Sequence, residues 1–461
     1  AVRRTRGPGM SVMPPSSPDT RTDLGRIGIV GGGLLGMVLA LRLRARGARV
    51  TLLDAAPAPG GLADAMRIGD TTWDRLYHVL LMSDLNTRAL VDELGLSDRL
   101  RWGRTRTGFF TDGRLHSMSN SVEFLRFPPL SLIDKLRLGG TIFLASRLRD
   151  VRRLESELAV DWLRRWSGER VLERIWLPLL RSKLGENYRI ASAAFIWAII
   201  ARMYAARRSG LKEEMFGYVD GGYAVVLDAL AAALQKAGVQ FLGAATVQRI
   251  HDRGDGVDVN LVDGGALSFD RVVSTVPAGA FAQACPQLQP EERERLDRVV
   301  YQGIVCGALL TRTPLSPYYV TNITDPGIPL TGIIEMTALV DRERFGGHSL
   351  VYLPRYLAQD DPAWSASDEQ FTEQSLAALS WMYPHFDRRD VVDFKVARAR
   401  RVLAISTLGY TERAMPPLTT SLRNVFQLSS AQIAQGTLNV NETLGVVQTR
   451  LPELIARMEA A

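Results

Sequence analysis

Residues 26–54 read RIGIVGGGLLGMVLALRLRARGARVTLLD, and the rest of the chain is arranged around them. Ile27, Ile29 and Val30 form a short apolar run, the mark of a buried parallel strand. Gly31, Gly33 and Gly36 then supply the pattern G-x-G-x-x-G. A helix is expected from Leu34 to Arg46, with Gly47 placed to stop it, and a second apolar strand, Val50 to Leu53, ends on Asp54. Each part has a physical task. Gly31 permits a tight turn, Gly33 lets the backbone approach a pyrophosphate, and Gly36 lets helix and strand pack closely. The first amides of the helix, at Leu34 and Leu35, present N–H groups and a positive dipole end to phosphate. Asp54 lies roughly twenty residues on, where an acid binds a ribose diol. A lone glycine motif is weak evidence; strand, glycines, helix, strand and acid in this order are strong evidence for a dinucleotide.

Asp54 argues against NADP, because a carboxylate repels a 2′-phosphate, but it does not separate NAD from FAD. The segment Pro57-Ala58-Pro59-Gly60-Gly61-Leu62-Ala63 does. It resembles the second glycine pair of the FAD-binding amine oxidase superfamily, which includes amine oxidases, protoporphyrinogen oxidase, phytoene desaturases and, more distantly, UDP-galactopyranose mutase. That resemblance implies FAD, with Gly60, Gly61 and Leu62 beside it. Ala58 stands where relatives carry a basic residue.

Bulk properties narrow the class. The chain has 461 residues, 46% hydrophobic and 23% charged, as in ordinary globular proteins with two or three domains. The net charge is +7, and only five basic residues are Lys. No basic block with interleaved aromatics suggests nucleic acid. Cys285 and Cys306 are far apart and show neither metal spacing nor a disulfide framework, which fits a cytoplasmic protein. The five histidines form no metal motif, so no metal is expected. Residues 1–24, rich in Arg, Pro and Ser, lack the apolar core of a signal peptide and read as a disordered leader. No run of eighteen apolar residues predicts a membrane span.

Further along, Met66 and Ile68 with Gly69-Asp70 predict a hairpin, and Asp112-Gly113 predicts another within residues 107–116. Short helices are expected at 89–94, 131–152, 156–165 and 168–180. The many Arg residues of this stretch face solvent in the favoured reading, or rest on anionic lipid in the other. Residues 217–223, GYVDGGY, lead into a helix at 224–237 and a strand at 238–242. The segment Asp270-Arg-Val-Val-Ser-Thr275 returns the chain to the first sheet, and residues 424–428 form a last strand before a helix at 440–458.

The resemblance assigns roles to several of these residues. It places the Val247 backbone against the adenine, Thr275 near the FAD, and Gly436 and Thr437 at a second helix start holding the pyrophosphate. It implies an α/β fold: a glutathione-reductase-type Rossmann FAD domain from residues 25–105, 215–300 and 401–461. A second, α+β substrate domain, an antiparallel sheet plus a helical insertion, then comes from 106–214 and 301–400. A bacterial branch of the superfamily carries F-F-x-D-G, R-F-P-P-L-S-L, I-E-H-T and L-V-Y-L-P-R-Y in that order. This chain has similar motifs at Phe109–Gly113, Arg126–Leu132, Ile334–Thr337 and Leu350–Tyr356. It departs at Met336, a thioether where the branch has an imidazole, and a thioether cannot transfer a proton.

His78 and Glu335 are then the remaining titratable candidates for catalysis. His78, with Asp84 downstream, resembles a flavin-side His of the mutases; a buried structural His explains it equally, and a structural ion pair explains Glu335. Trp73, Tyr77, Phe110, Tyr319 and Met336 are the candidate substrate contacts. Three functions remain open: an FAD-dependent oxidase, dehydrogenase or desaturase acting on a C–N or C–C bond of a small metabolite, a redox-neutral enzyme on a nucleotide- or lipid-linked sugar, and a flavoprotein without catalysis. A small-molecule substrate is the expected partner.

Overall fold

A computed structural model describes residues 24–148, 150–206, 214–433 and 436–460. The leader falls almost wholly outside them; its last residue, Leu24, is buried in the core instead.

The glycine-loop strand, Arg26–Val30, sits at the centre of a five-stranded sheet. Its neighbours are Arg49–Leu53 on one side and Arg271–Ser274 on the other, with Gln240–Leu242 and Val425–Gln427 outside them. Every pairing is parallel. A parallel sheet must be covered on both faces, which is why its strands read as continuous apolar runs. The helices Leu34–Ala45, Tyr223–Lys236 and Val440–Ala460 cover one face. A three-stranded meander, Val247–Asp252, Val257–Leu261 and Ala266–Phe269, shares a core with the other. Ile27 and Ile29 are fully buried, and each contributes about 1.5–3 kcal/mol by leaving water.

Because all five strands run the same way, their carboxyl ends share one edge. The glycine loop, Asp54, Thr275 and the segment after Gln427 all leave the sheet there. That edge is where open α/β sheets bind ligands.

The second sheet has seven strands, in the order 391–404, 301–311, 349–357, 332–335, 320–323, 107–111, 114–117. Pairing is antiparallel except between Val320–Ile323 and Thr107–Thr111. The strand Tyr301–Thr311, second in this order, is buried at every residue, since both faces of the sheet are covered there. The helix Asp368–Met382 contributes to the core on one face. The 107–117 hairpin forms as predicted, with Asp112 and Gly113 at φ 52° and 68°, and the Asp325 carboxylate accepts both turn amides at 2.6 and 2.7 Å.

The helical insertion builds its own core around Trp162, Leu163 and Trp176. Here boundaries differ from expectation. The run predicted at 131–152 is one helix, Leu132–Ala145, started by a Ser131–Asp134 capping box, and then a short one, Val151–Glu155, capped by Asp150. The stretch 168–180 contains a wide turn at Leu172–Trp176 before Pro178. Proline lacks the amide that a continuing α-helix would use.

Candidate functional site

The cradle is built from glycine contacts. Gly31 turns at φ 115°, and a Cβ there would lie 2.4 Å from Thr275 Oγ1. The Thr275 hydroxyl donates to the Gly31 carbonyl at 2.9 Å, so Thr275 braces the loop from beneath. A Cβ on Gly36 would meet the Gly31 carbonyl at 1.9 Å, which excludes any side chain. Gly60 and Gly61 cross over the same loop: the Gly60 amide donates to the Gly32 carbonyl at 2.9 Å, and a Cβ on Gly61 would press on Gly33 Cα at 2.9 Å. Gly33 itself is open, with only Gly61 Cα near its missing Cβ, at 3.9 Å. It starts the helix Leu34–Ala45 with no side-chain cap and no acid in the first turn. An uncapped helix start with a positive dipole end fits an anion such as a diphosphate.

Asp54 Oδ2 accepts the Gly32 amide at 2.5 Å and Oδ1 accepts the Ala56 amide at 2.7 Å. The carboxylate therefore fixes the loop as well as offering its remaining lone pairs. The segment leading to Val247 is tied to the same edge, with the Ala245 amide donating to the Asp54 carbonyl at 2.8 Å.

The second helix start is less receptive than its sequence suggests. Asn439 Oδ1 accepts the Glu442 amide at 3.0 Å, and Glu442 lies in the first turn, against Gly436. One donor is filled and the local charge is negative, so this turn suits an anion less well than the Gly33 loop does. Gly436 and Thr437 keep their place in the turn that follows the last parallel strand, and the Thr437 carbonyl accepts from Asn439 Nδ2 at 2.8 Å. At the carboxyl edge, Ser274 Oγ, both side-chain atoms of Gln427 and Ser429 Oγ are buried with no hydrogen-bond partner among the described residues. Buried polar atoms rarely stay unpaired. These residues fit a polar cofactor such as FAD.

From the cradle, one apolar cluster extends to the second sheet. Leu62, after the second glycine pair, and Leu438, after Thr437, both pack against it. Trp73, Tyr77, Tyr319 and Met336 belong to it, as do Tyr352, Tyr356 and Phe216. The Tyr77 and Tyr356 hydroxyls are 3.1 Å apart, and Lys183 Nζ sits 4.0 Å from the Tyr356 ring centre. Burial, and then the neighbouring Tyr356, push the Tyr77 phenol well above its ordinary range. Burial, with Asp74 nearby, does the same to Tyr319. Trp73 Nε1 and Tyr319 Oη are buried without partners among the described residues.

His78 borders this cluster. Its Nδ1 is 3.6 Å from Asp74 Oδ2, and its ring lies 4.9 Å from that of Tyr223. Asp74 Oδ1 accepts the Tyr223 amide at 2.6 Å, and its carbonyl accepts the Tyr352 hydroxyl. Asp84, downstream of His78, is engaged elsewhere: Arg202 grips it at 2.8 and 2.9 Å. Asp74, Tyr352 and Tyr356 went unpredicted. The two tyrosines were legible, since residues 352, 354 and 356 of a strand share one face.

Two candidates lie away from this cluster. Glu335 pairs across the sheet with Val351, and Ile334 with Tyr352, so strand alternation turns Glu335 to the opposite face. There its carboxylate accepts the Leu315 and Ser316 amides at 3.1–3.2 Å. Burial raises its pKa to about 8 against the pull of those amides. Phe110 is on that face as well, its ring 5.1 Å from Trp381. Neither Glu335 nor Phe110 joins His78 and Tyr77.

The model of the flavin containing amine oxidoreductase family matches residues 36–437. Coproporphyrinogen III oxidase of Mycobacterium tuberculosis is 24% identical over 373 residues, covering 74% of this chain and 79% of that one. A provisionally named protoporphyrinogen oxidase from Exiguobacterium sp. 255-15 superposes with TM-score 0.74 at 17% identity, covering 94% and 99% of the two chains. Reduced UDP-galactopyranose mutase gives 0.70 at 16%, over 93% and 94%. With the cradle, the orphaned polar edge and the family match in agreement, the chain belongs to the flavin-containing amine oxidoreductases and is an FAD-dependent oxidoreductase.

Proposed function

We propose that this enzyme oxidises a C–N or C–C bond of a small, ring-bearing metabolite or natural-product intermediate. The observation that carries this reading is the aromatic wall of Trp73, Tyr77, Tyr319, Tyr352 and Tyr356, continuous with the cradle through Leu62. Such a wall holds a flat or cyclic skeleton by area burial and ring contacts. The name of the mycobacterial relative, an oxidase of a porphyrinogen, supports a substrate of this kind.

FAD, when bound, supplies the hydride acceptor. The chain's residues do the rest. Tyr77 and Tyr356 present a hydroxyl pair to orient polar atoms, while Trp73 and Met336 exclude water. The substrate gives up two electrons as hydride and one proton. His78 takes that proton, with Asp74 Oδ2 3.6 Å from Nδ1 to stabilise the charge that results.

Anaerobic mixing of the FAD-loaded enzyme with porphyrinogens, cyclic and acyclic amines and sugar nucleotides tests this. Bleaching of the oxidised flavin by a ring-bearing reductant, with no dithionite, is the expected result. Turnover of a sugar nucleotide only after chemical pre-reduction would replace this reading with a redox-neutral one.

A further inference from the structure

Large apolar side chains are unevenly exposed on this molecule. Of the fifteen that stand open to solvent among the described residues, six lie within residues 122–143: Val122, Leu125, Leu132, Ile133, Leu136 and Phe143. Four are on the helix Leu132–Ala145, where 132, 133, 136 and 143 form one stripe, while Leu138, Thr141 and Ala145 face inward. Leu125, from the short helix Ser121–Arg126, stays beside this stripe because Lys135 Nζ donates to its carbonyl at 2.8 Å. Leu132, Ile133 and Leu136 are each 64–66% exposed, an arrangement that costs solubility unless something covers it.

The charge around the stripe names the cover. Arg126, Arg137, Arg147, Arg152 and Arg153 are exposed along the same segment. Its three acids are already engaged. Glu123 accepts from the Ser119 amide at 2.8 Å, Asp134 is held by Ser131 and Arg170, and Asp150 accepts the Arg153 amide at 3.2 Å. Arginine on the rim with an apolar stripe between is the composition of a helix lying in a membrane interface. No helix among the described residues is long and apolar enough to cross a membrane, so contact here is with one leaflet.

We propose that residues 121–147 dock the enzyme on an anionic lipid surface, with Leu132, Ile133, Leu136 and Phe143 among the acyl chains and the arginines at the headgroups. The same insertion reaches the aromatic wall: Thr331 donates to the Ser182 carbonyl at 2.8 Å, and Lys183 lies over Tyr356.

Co-sedimentation of the FAD-loaded full chain with vesicles tests the proposal. Binding to phosphatidylglycerol-containing vesicles, weakened by salt and weaker still on pure phosphatidylcholine, is expected. The variant Leu132→Glu/Leu136→Glu, both at exposed positions, should keep its flavin and melting temperature yet bind vesicles about tenfold less or worse, the effect of withdrawing at least one large side chain from lipid. No vesicle binding by the wild type would overturn the proposal. So would vesicle binding equal in both proteins, which would leave only electrostatics. A concentration-dependent dimer that the variant abolishes, without vesicle binding, would assign the stripe to a second copy instead.

Discussion

Glu335 and Met336 are adjacent in the chain and face opposite layers of the seven-stranded sheet. Met336 packs with Trp73 and Tyr319, while the Glu335 carboxylate is held by the Leu315 and Ser316 amides beyond the sheet. The consequence is a change of role for Glu335, from candidate acid to buried structural group.

That role has a pH signature. Glu335 titrates at about 8 in the folded chain, against an ordinary value of 4.5. Below about 4.5 both folded and unfolded chains hold the proton. Between those values the unfolded chain has released a proton that the folded chain keeps, so stability falls as pH rises through the window and levels off above it. Glu335→Gln should remove this contribution, on the order of a few kcal/mol, and be relatively more stable at pH 8 than at pH 5 when thermal melts of the two proteins are compared. A variant that loses its stability advantage on going to high pH would reverse the assignment.

The nucleotide half of the fold was legible because its signals are local. Ile27 to Asp54 contains strand, turn, helix and acid within thirty residues, and Gly31 and Gly36 each answer a contact that any Cβ would violate. The second sheet was not legible in the same way. Its order, from 391–404 across to 114–117, depends on non-local pairings, among them 320–323 with 107–111, which no local pattern encodes. Glu335 and Phe110 were misplaced for that reason: period two fixes which neighbours share a face, but not which face meets the cradle. Spacing shows that Asp84 follows His78, but not that Arg202 holds Asp84 or that Asp74 lies beside the imidazole.

Gly36 carries a sharper prediction. Its missing Cβ would lie 1.9 Å from the Gly31 carbonyl, and backbone cannot move aside as a flexible side chain can. Gly36→Ala should purify with little or no bound flavin, read from the visible absorbance relative to protein. Retention of FAD equal to wild type would show that the loop and helix do not meet as described.

Asp54 braces the same loop through Gly32. Asp54→Ala removes a charge-assisted bond worth about 1.5–3 kcal/mol, so FAD affinity should fall roughly tenfold to a hundredfold. Titration of deflavinated protein by fluorescence measures it, and an unchanged affinity would remove Asp54 from the site.

The Tyr77–Tyr356 pair is expected to act as a unit. Removing one hydroxyl leaves the other buried without its partner, at a cost of about 1–3 kcal/mol, whereas removing both is milder than the sum. Melting of Tyr77→Phe, Tyr356→Phe and the double variant should therefore be non-additive. Strict additivity would show that the two hydroxyls do not interact.

The central claim is that the cradle and the Tyr77 face of the second sheet hold one cofactor between them. A crystal structure of the FAD-loaded chain tests it most directly. The account predicts the diphosphate at the Leu34 and Leu35 amides and the isoalloxazine against Leu62 and the Tyr77–Tyr356 wall. A ring system lodged instead beside Phe110 and Glu335, or a diphosphate at the Asn439-capped helix alone, would contradict it.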